Sequence, residues 1–148
     1  MSPDDSSVVF RRTPRTLRRA ALREFAALLK REVTGGGEFV CLLTGDRELR
    51  RLNRQFLGKD YPTDVLSFPH LPGSAELGEM AISVERAAVQ AAEFGHDVET
   101  EIRVLMLHGT LHLMGMDHAS DRGRMAREET RWRRRLGLPA GLIERAGR

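Results

Sequence analysis

The run Leu107-His108-Gly109-Thr110-Leu111-His112-Leu113-Met114-Gly115-Met116-Asp117-His118 holds three of the chain's five histidines. On a helix, His108 and His112 are i and i+4 and leave the same face about one turn apart, a spacing that suits two cis ligands of one metal ion. Gly115 stops the helix, and a turn through Gly115, Met116 and Asp117 can return His118 to the same point. That makes three neutral nitrogen ligands with a fourth position left for water. At about 100° per residue, Glu99, Arg103 and Thr110 share a narrow polar stripe, and His108 and His112 lie roughly opposite it beside Val104, Leu105 and Leu111. The histidines are therefore expected to face protein or a cleft, at the end of a central buried helix.

A lone i,i+4 pair would equally suit core histidines satisfied by hydrogen bonds. The third histidine favours a metal, because three buried imidazoles without a shared ligand are hard to satisfy. One zinc ion is the expected cofactor; nickel, copper or iron also suit three imidazoles. A zinc protease of the His-Glu-x-x-His kind needs a glutamate straight after the first histidine, and here that residue is Gly109. Glu101 lies on the histidine side but roughly 10 Å back along the axis at 1.5 Å per residue. It reads as a first-turn glutamate favoured by the helix dipole.

Working outward, 148 residues with 41% hydrophobic content suit one domain over residues 1–148, with 1–6 and 140–148 as flexible tails. The polar start has no apolar signal core and no run of about 18 apolar residues follows, so a cytoplasmic protein without a membrane partner is expected. Ser7 to Phe10 reads as a strand and Pro14 to Val33 as a helix, ended by the glycines at 35–37. Glu38 to Leu43 is an apolar strand in which Cys41 is a small buried residue. Asp46 is expected to cap a helix running to Gly58. Val65 to Phe68 and Glu79 to Val84 read as strands. A helix from Ser83 or Glu85 ends at Gly95, Asp97 caps the histidine helix, and Ser120 or Asp121 caps a last one through Leu136. The fold class is therefore α+β: one mixed sheet of about four strands with about five helices.

Net charge is +3, and every basic residue except Lys30 and Lys59 is arginine. Arginines cluster at 11–23 and 131–135, where they can neutralise phosphates or simply solvate helix faces. The loop Lys59-Asp60-Tyr61-Pro62-Thr63-Asp64 precedes a buried strand, so it can project polar groups into a cleft or merely form a turn. Asp117 can orient a histidine, carry a proton, or hold its own turn.

The histidine run resembles the signature of the YbeY family, bacterial metal-dependent endoribonucleases. Leu52-Asn53-Arg54-Gln55-Phe56, Gly58-Lys59-Asp60, Pro62-Thr63-Asp64-Val65-Leu66-Ser67-Phe68-Pro69 and Leu77-Gly78-Glu79-Met80-Ala81-Ile82-Ser83 resemble its other blocks in the same order. Together the similarity spans roughly residues 38 to 136. It implies a zinc-dependent single-strand endoribonuclease of ribosomal RNA maturation, near the 3′ end of the small-subunit RNA, and of ribosome quality control. Ribosomal RNA, the ribosome or small-subunit proteins would be its partners. It also implies that His108, His112 and His118 bind the metal and that Lys59 and Thr63 line the cleft. The chain departs from the pattern at Leu57, where many relatives carry an arginine; Arg54, one turn earlier, is the candidate substitute. Two rivals are a metallohydrolase or peptidase of another substrate class and a non-catalytic assembly factor with a structural metal.

Overall fold

In a computed structural model, residues 7–117 and 119–146 are described. The chain runs through β1 (Val8–Phe10), α1 (Arg19–Leu28), β2 (Glu38–Thr44), α2 (Asp46–Leu57), β3 (Val65–Pro69), β4 (Glu76–Ser83), α3 (Val84–Phe94), α4 (Val98–Leu113), α5 (Arg124–Arg135) and α6 (Leu142–Ala146). A π-helical segment, Leu29–Val33, prolongs α1. The four strands form one mixed sheet in the order β1-β2-β4-β3, with β1, β2 and β4 parallel and β3 antiparallel to β4. This is an α+β fold with one helix more than the sequence suggested.

Strand alternation assigns the two faces of the sheet. Phe39, Cys41 and Leu43 on β2, with Met80 and Ile82 on β4, join Leu22, Leu29, Ile102 and Leu105 in the main core. Burial pushes the Cys41 thiol up, as a buried structural residue requires. On the opposite face, Leu66 and Ala81 pack under Leu49 of α2, with Leu42, Leu52 and Phe68 alongside.

The sequence reading needs four corrections. The first helix starts at Arg19 rather than Pro14, because residues 14–17 make a turn and the Arg18 amide is taken at 3.0 Å by the buried Glu99 carboxylate of α4. Gly45, not Asp46, is the N-cap of α2; Asp46 instead accepts a 2.6 Å hydrogen bond from Ser83 Oγ. The polar stripe on α4 is wetted only at half-buried Arg103: Thr110 is 0% exposed and donates to Met106 O, and Glu99 is buried. Residues 142–146 are not a loose tail but a helix, held by the Arg145 guanidinium on both Glu101 oxygens at 2.7 and 2.8 Å. The expected tails at 1–6 and 147–148 lie outside the described residues.

Caps at Ser83 and Asp97 stand where expected, accepting from the Arg86 and Thr100 amides. At the last helix, Asp121 does accept from the Met125 amide, but α5 starts at Arg124 behind Gly123. Among the described residues no helix is long and apolar enough to cross a membrane.

Candidate metal centre

The C-terminal half of α4 is buried, and its last turn brings His108 and His112 to the floor of a cleft of about 710 Å³. The two rings cross at 75° with Nε2 atoms 3.2 Å apart. Each ring is fixed from behind. His108 Nδ1 donates to Glu129 Oε2 of α5 at 2.6 Å, and His112 Nδ1 donates to the Met116 carbonyl at 3.0 Å.

The Met116 carbonyl accepts only, so His112 Nδ1 carries a hydrogen, and the bond to Glu129 fixes the His108 ring; both Nε2 atoms are thereby turned toward one point at the cleft. Imidazoles whose outer nitrogens are held by a carboxylate and a backbone carbonyl are the pattern of metal-ligating histidines, so the residues present fit a divalent transition metal. Among the described residues no group of three such ligands is assembled. The third expected ligand, His118, lies outside them.

Gly109 separates the two histidines where α4 crosses the sheet. A Cβ there would stand 2.9 Å from Met80 Sδ and 3.3 Å from Ser67 Oγ, so a side chain after His108 would have to displace the Met80 side chain.

The remaining candidates divide. Lys59, Leu57 and Asp117 line the cleft with the histidines, as does Ser67, which sequence reading passed over. Lys59 is delivered by the end of α2: Gly58 takes the left-handed conformation at φ 69°, and the Lys59 amide donates to Asn53 O at 3.3 Å. Buried Asn53 then holds the loop by donating from Nδ2 to Tyr61 O at 2.9 Å. Asp117 accepts from the Ala119 amide at 3.1 Å and Ser120 Oγ at 3.2 Å, which is the turn role; Glu129 and Met116 are the acceptors behind His108 and His112.

Thr63 and Arg54 are not among the cleft-lining residues. Thr63 Oγ1 is 3.4 Å from Asp64 Oδ1, which also accepts from the Val65 amide, so this part of the loop is turn chemistry. Arg54 is exposed and leans to Asp60 at 4.0 Å. The hydrogen bond from Arg50, with the charges of Arg50 and Arg54, holds the Asp60 carboxyl below its usual range. Arg54 is thus turned toward Asp60 rather than into the cleft, along a different direction of the helix from residue 57.

Glu129 was missed by sequence reading because it sits in a run of charges, Arg127-Glu128-Glu129. A signal existed: it lies i+4 from Met125 and i−3 from Trp132, on the one stripe of α5 that faces the core. At the other end of α4, Glu101 is no simple first-turn glutamate. It is fully buried and accepts from Gln90 Nε2, His96 Nε2 and Arg145. Burial alone would raise its pKa, but the hydrogen bonds from Arg145, His96 and Gln90 win and hold it below the ordinary value.

Residues 6–137 match the family model described as endoribonuclease YbeY. A relative from Solibacter usitatus (strain Ellin6076), named endoribonuclease YbeY, is 62% identical over 144 residues, 97% of each chain. One from Nautilia profundicola with the same name is 50% identical over 106 residues, 70% of this chain and 76% of its own. The solution structure of TM1509 from Thermotoga maritima superposes with a TM-score of 0.59 at 26% identity, covering 84% of this chain and 85% of that one. A family match over most of its length, supported by a near-full-length relative, shows that this chain belongs to the endoribonuclease YbeY family.

Proposed function

We propose that the protein is a zinc-dependent endoribonuclease that cleaves single-stranded RNA, acting in the cytoplasm on ribosomal RNA near the 3′ end of the small-subunit RNA and in ribosome quality control. The observation that carries this reading is the pair of Nε2 atoms 3.2 Å apart, each ring locked through Nδ1, at the floor of an open cleft beside Lys59. The name endoribonuclease, carried by the relatives, supports the reaction class.

His108, His112 and His118 would hold the ion, which when bound supplies Lewis acidity and a water of lowered pKa. Glu129 and Met116 hold both described imidazoles through Nδ1, which leaves each Nε2 toward the cleft. Lys59 reaches the cleft as a flexible cation able to bond a non-bridging phosphate oxygen and stabilise its growing charge. Ser67 Oγ, 3.4 Å from Gly109 O, adds a polar group to the wall. The peptidase alternative is disfavoured because the residue after His108 is Gly109, which supplies no general base.

A second reading keeps one specific observation in its favour. Leu57, 52% exposed, lines the cleft where an arginine would put a second cation, which suits an assembly factor that binds RNA without cutting it. Elemental analysis and RNA cleavage on the wild type and His112→Ala separate the two. The proposal expects stoichiometric zinc and chelator-sensitive cleavage in the wild type, both lost in the variant. Zinc without cleavage would move the assignment to the assembly factor, and full activity in a metal-free variant would sink the metal reading.

A further inference from the structure

The carboxylate behind His108 is itself held by the end of the chain. Glu129 is 1% exposed and gives its two oxygens to different elements: Oε2 to His108 Nδ1 at 2.6 Å, Oε1 to the Ile143 amide at 3.0 Å. Gly141 is buried against the same side chain. A Cβ at 141 would stand 2.5 Å from Glu129 Cδ and 2.8 Å from Cγ, so the backbone passes where no side chain fits.

This approach needs external support, because a five-residue helix has no stability of its own. Arg145 supplies it by bridging to both Glu101 oxygens and covering the Phe94 ring at 4.0 Å. Glu144 adds a second anchor on α5, accepting from Arg133 Nε at 2.7 Å, Arg133 Nη2 at 3.0 Å and Thr130 Oγ1 at 3.0 Å. The segment is therefore fixed to both α4 and α5 and meets the site at one carboxylate.

We propose that residues 141–145 form a clamp that positions Glu129, and through it His108, so that the C-terminal segment sets how tightly the metal is held. This rests on the zinc reading above. A carboxylate serving only the core could exchange partners without consequence outside it. Glu129 instead fixes an imidazole whose other nitrogen faces the cleft, and loss of such outer partners weakens metal binding roughly 10- to 100-fold in general.

The test is zinc affinity, measured by chelator competition on metal-free wild type, Gly141→Ala and Glu129→Gln, with Leu22→Ala as a core variant remote from the clamp. Gly141→Ala pushes the carboxylate aside and leaves its charge; Glu129→Gln keeps the shape and removes the charge. If an amide N–H turns toward His108, the ring's hydrogen is displaced to Nε2. The expected result is a zinc Kd raised roughly 10- to 100-fold in both site variants, with native circular dichroism and unchanged stoichiometry at saturation, and an unaltered Kd in Leu22→Ala. Wild-type affinity in Gly141→Ala overturns the clamp while leaving the zinc reading intact, whatever Glu129→Gln shows. So does an equal loss in Leu22→Ala, which would mean that affinity merely follows stability. A wild type that binds no zinc overturns the metal reading, and the clamp with it.

Discussion

The two ends of α4 each carry a histidine–carboxylate pair, and the pairs have opposite fates. At the N-terminal end, His96 Nε2 meets Glu101 at 2.7 Å, and the same carboxylate is saturated by Gln90 and by both arms of Arg145. At the C-terminal end, His108 meets Glu129 at 2.6 Å, and among the described residues no lysine or arginine closes the carboxylate; its other oxygen takes a backbone amide. The first pair is sealed by a guanidinium and is structural. In the second, the imidazole presents its far nitrogen to another imidazole at a cleft. The two pairs therefore differ in what balances them: an arginine of the protein seals the first, whereas the second opens on the cleft.

That contrast can be broken from either side. The largest effect is expected at the sealed end. Arg145→Ala leaves Glu101 buried with only neutral donors and His96, a loss of about 3–5 kcal/mol. At roughly 2–4 °C per kcal/mol for a chain of this size, metal-free Tm should fall by about 10 °C, against little change for His112→Ala. Equal Tm values for the two variants in calorimetry would erase the distinction between staple and site.

At the open end, Lys59→Ala should lower RNA cleavage about 100-fold, roughly 2.7 kcal/mol, while zinc affinity and Tm hold. Unchanged single-turnover cleavage would remove Lys59 from the phosphate. Leu57→Arg should act in the other direction and more weakly. It restores a cation to the cleft wall, and about tenfold faster cleavage, roughly 1.4 kcal/mol, is expected with the metal content unaltered.

The smallest effect is in pH. Because folding holds the Glu101 pKa below its unfolded value, the stability it contributes is complete above ordinary carboxylate pH and is lost as pH falls through the lowered folded value. Metal-free Tm should therefore decline as pH is taken from about 5 to about 3, with a shallower slope in Glu101→Gln. A steeper slope in that variant would show that Glu101 does not carry the linkage.

The strands and helices were legible wherever punctuation was local. Ser83, Asp97, Gly58 and Gly95 mark ends through bonds within a few residues, and each stands where the sequence put it. The start of α1 was not legible, because the group that receives its first amide, Glu99, is 81 residues away. Nor was α6: five residues reveal no period, and they are helical because Arg145 and Glu144 find partners on other elements.

The site shows the same division. By itself the sequence determined the two histidines that share a helix face, since an i,i+4 spacing fixes direction without reference to anything else. It also determined that Gly109 denies the first histidine a neighbouring base, though not that a side chain there would crowd Met80 and Ser67. Only the tertiary structure decided which cations reach the cleft, turning Arg54 out to Asp60 and Lys59 in. Only it put Glu129, on a different helix, behind His108. The reason is physical: a helix dictates relations among its own side chains, whereas the partner that sets an imidazole's tautomer is chosen by how separate elements pack.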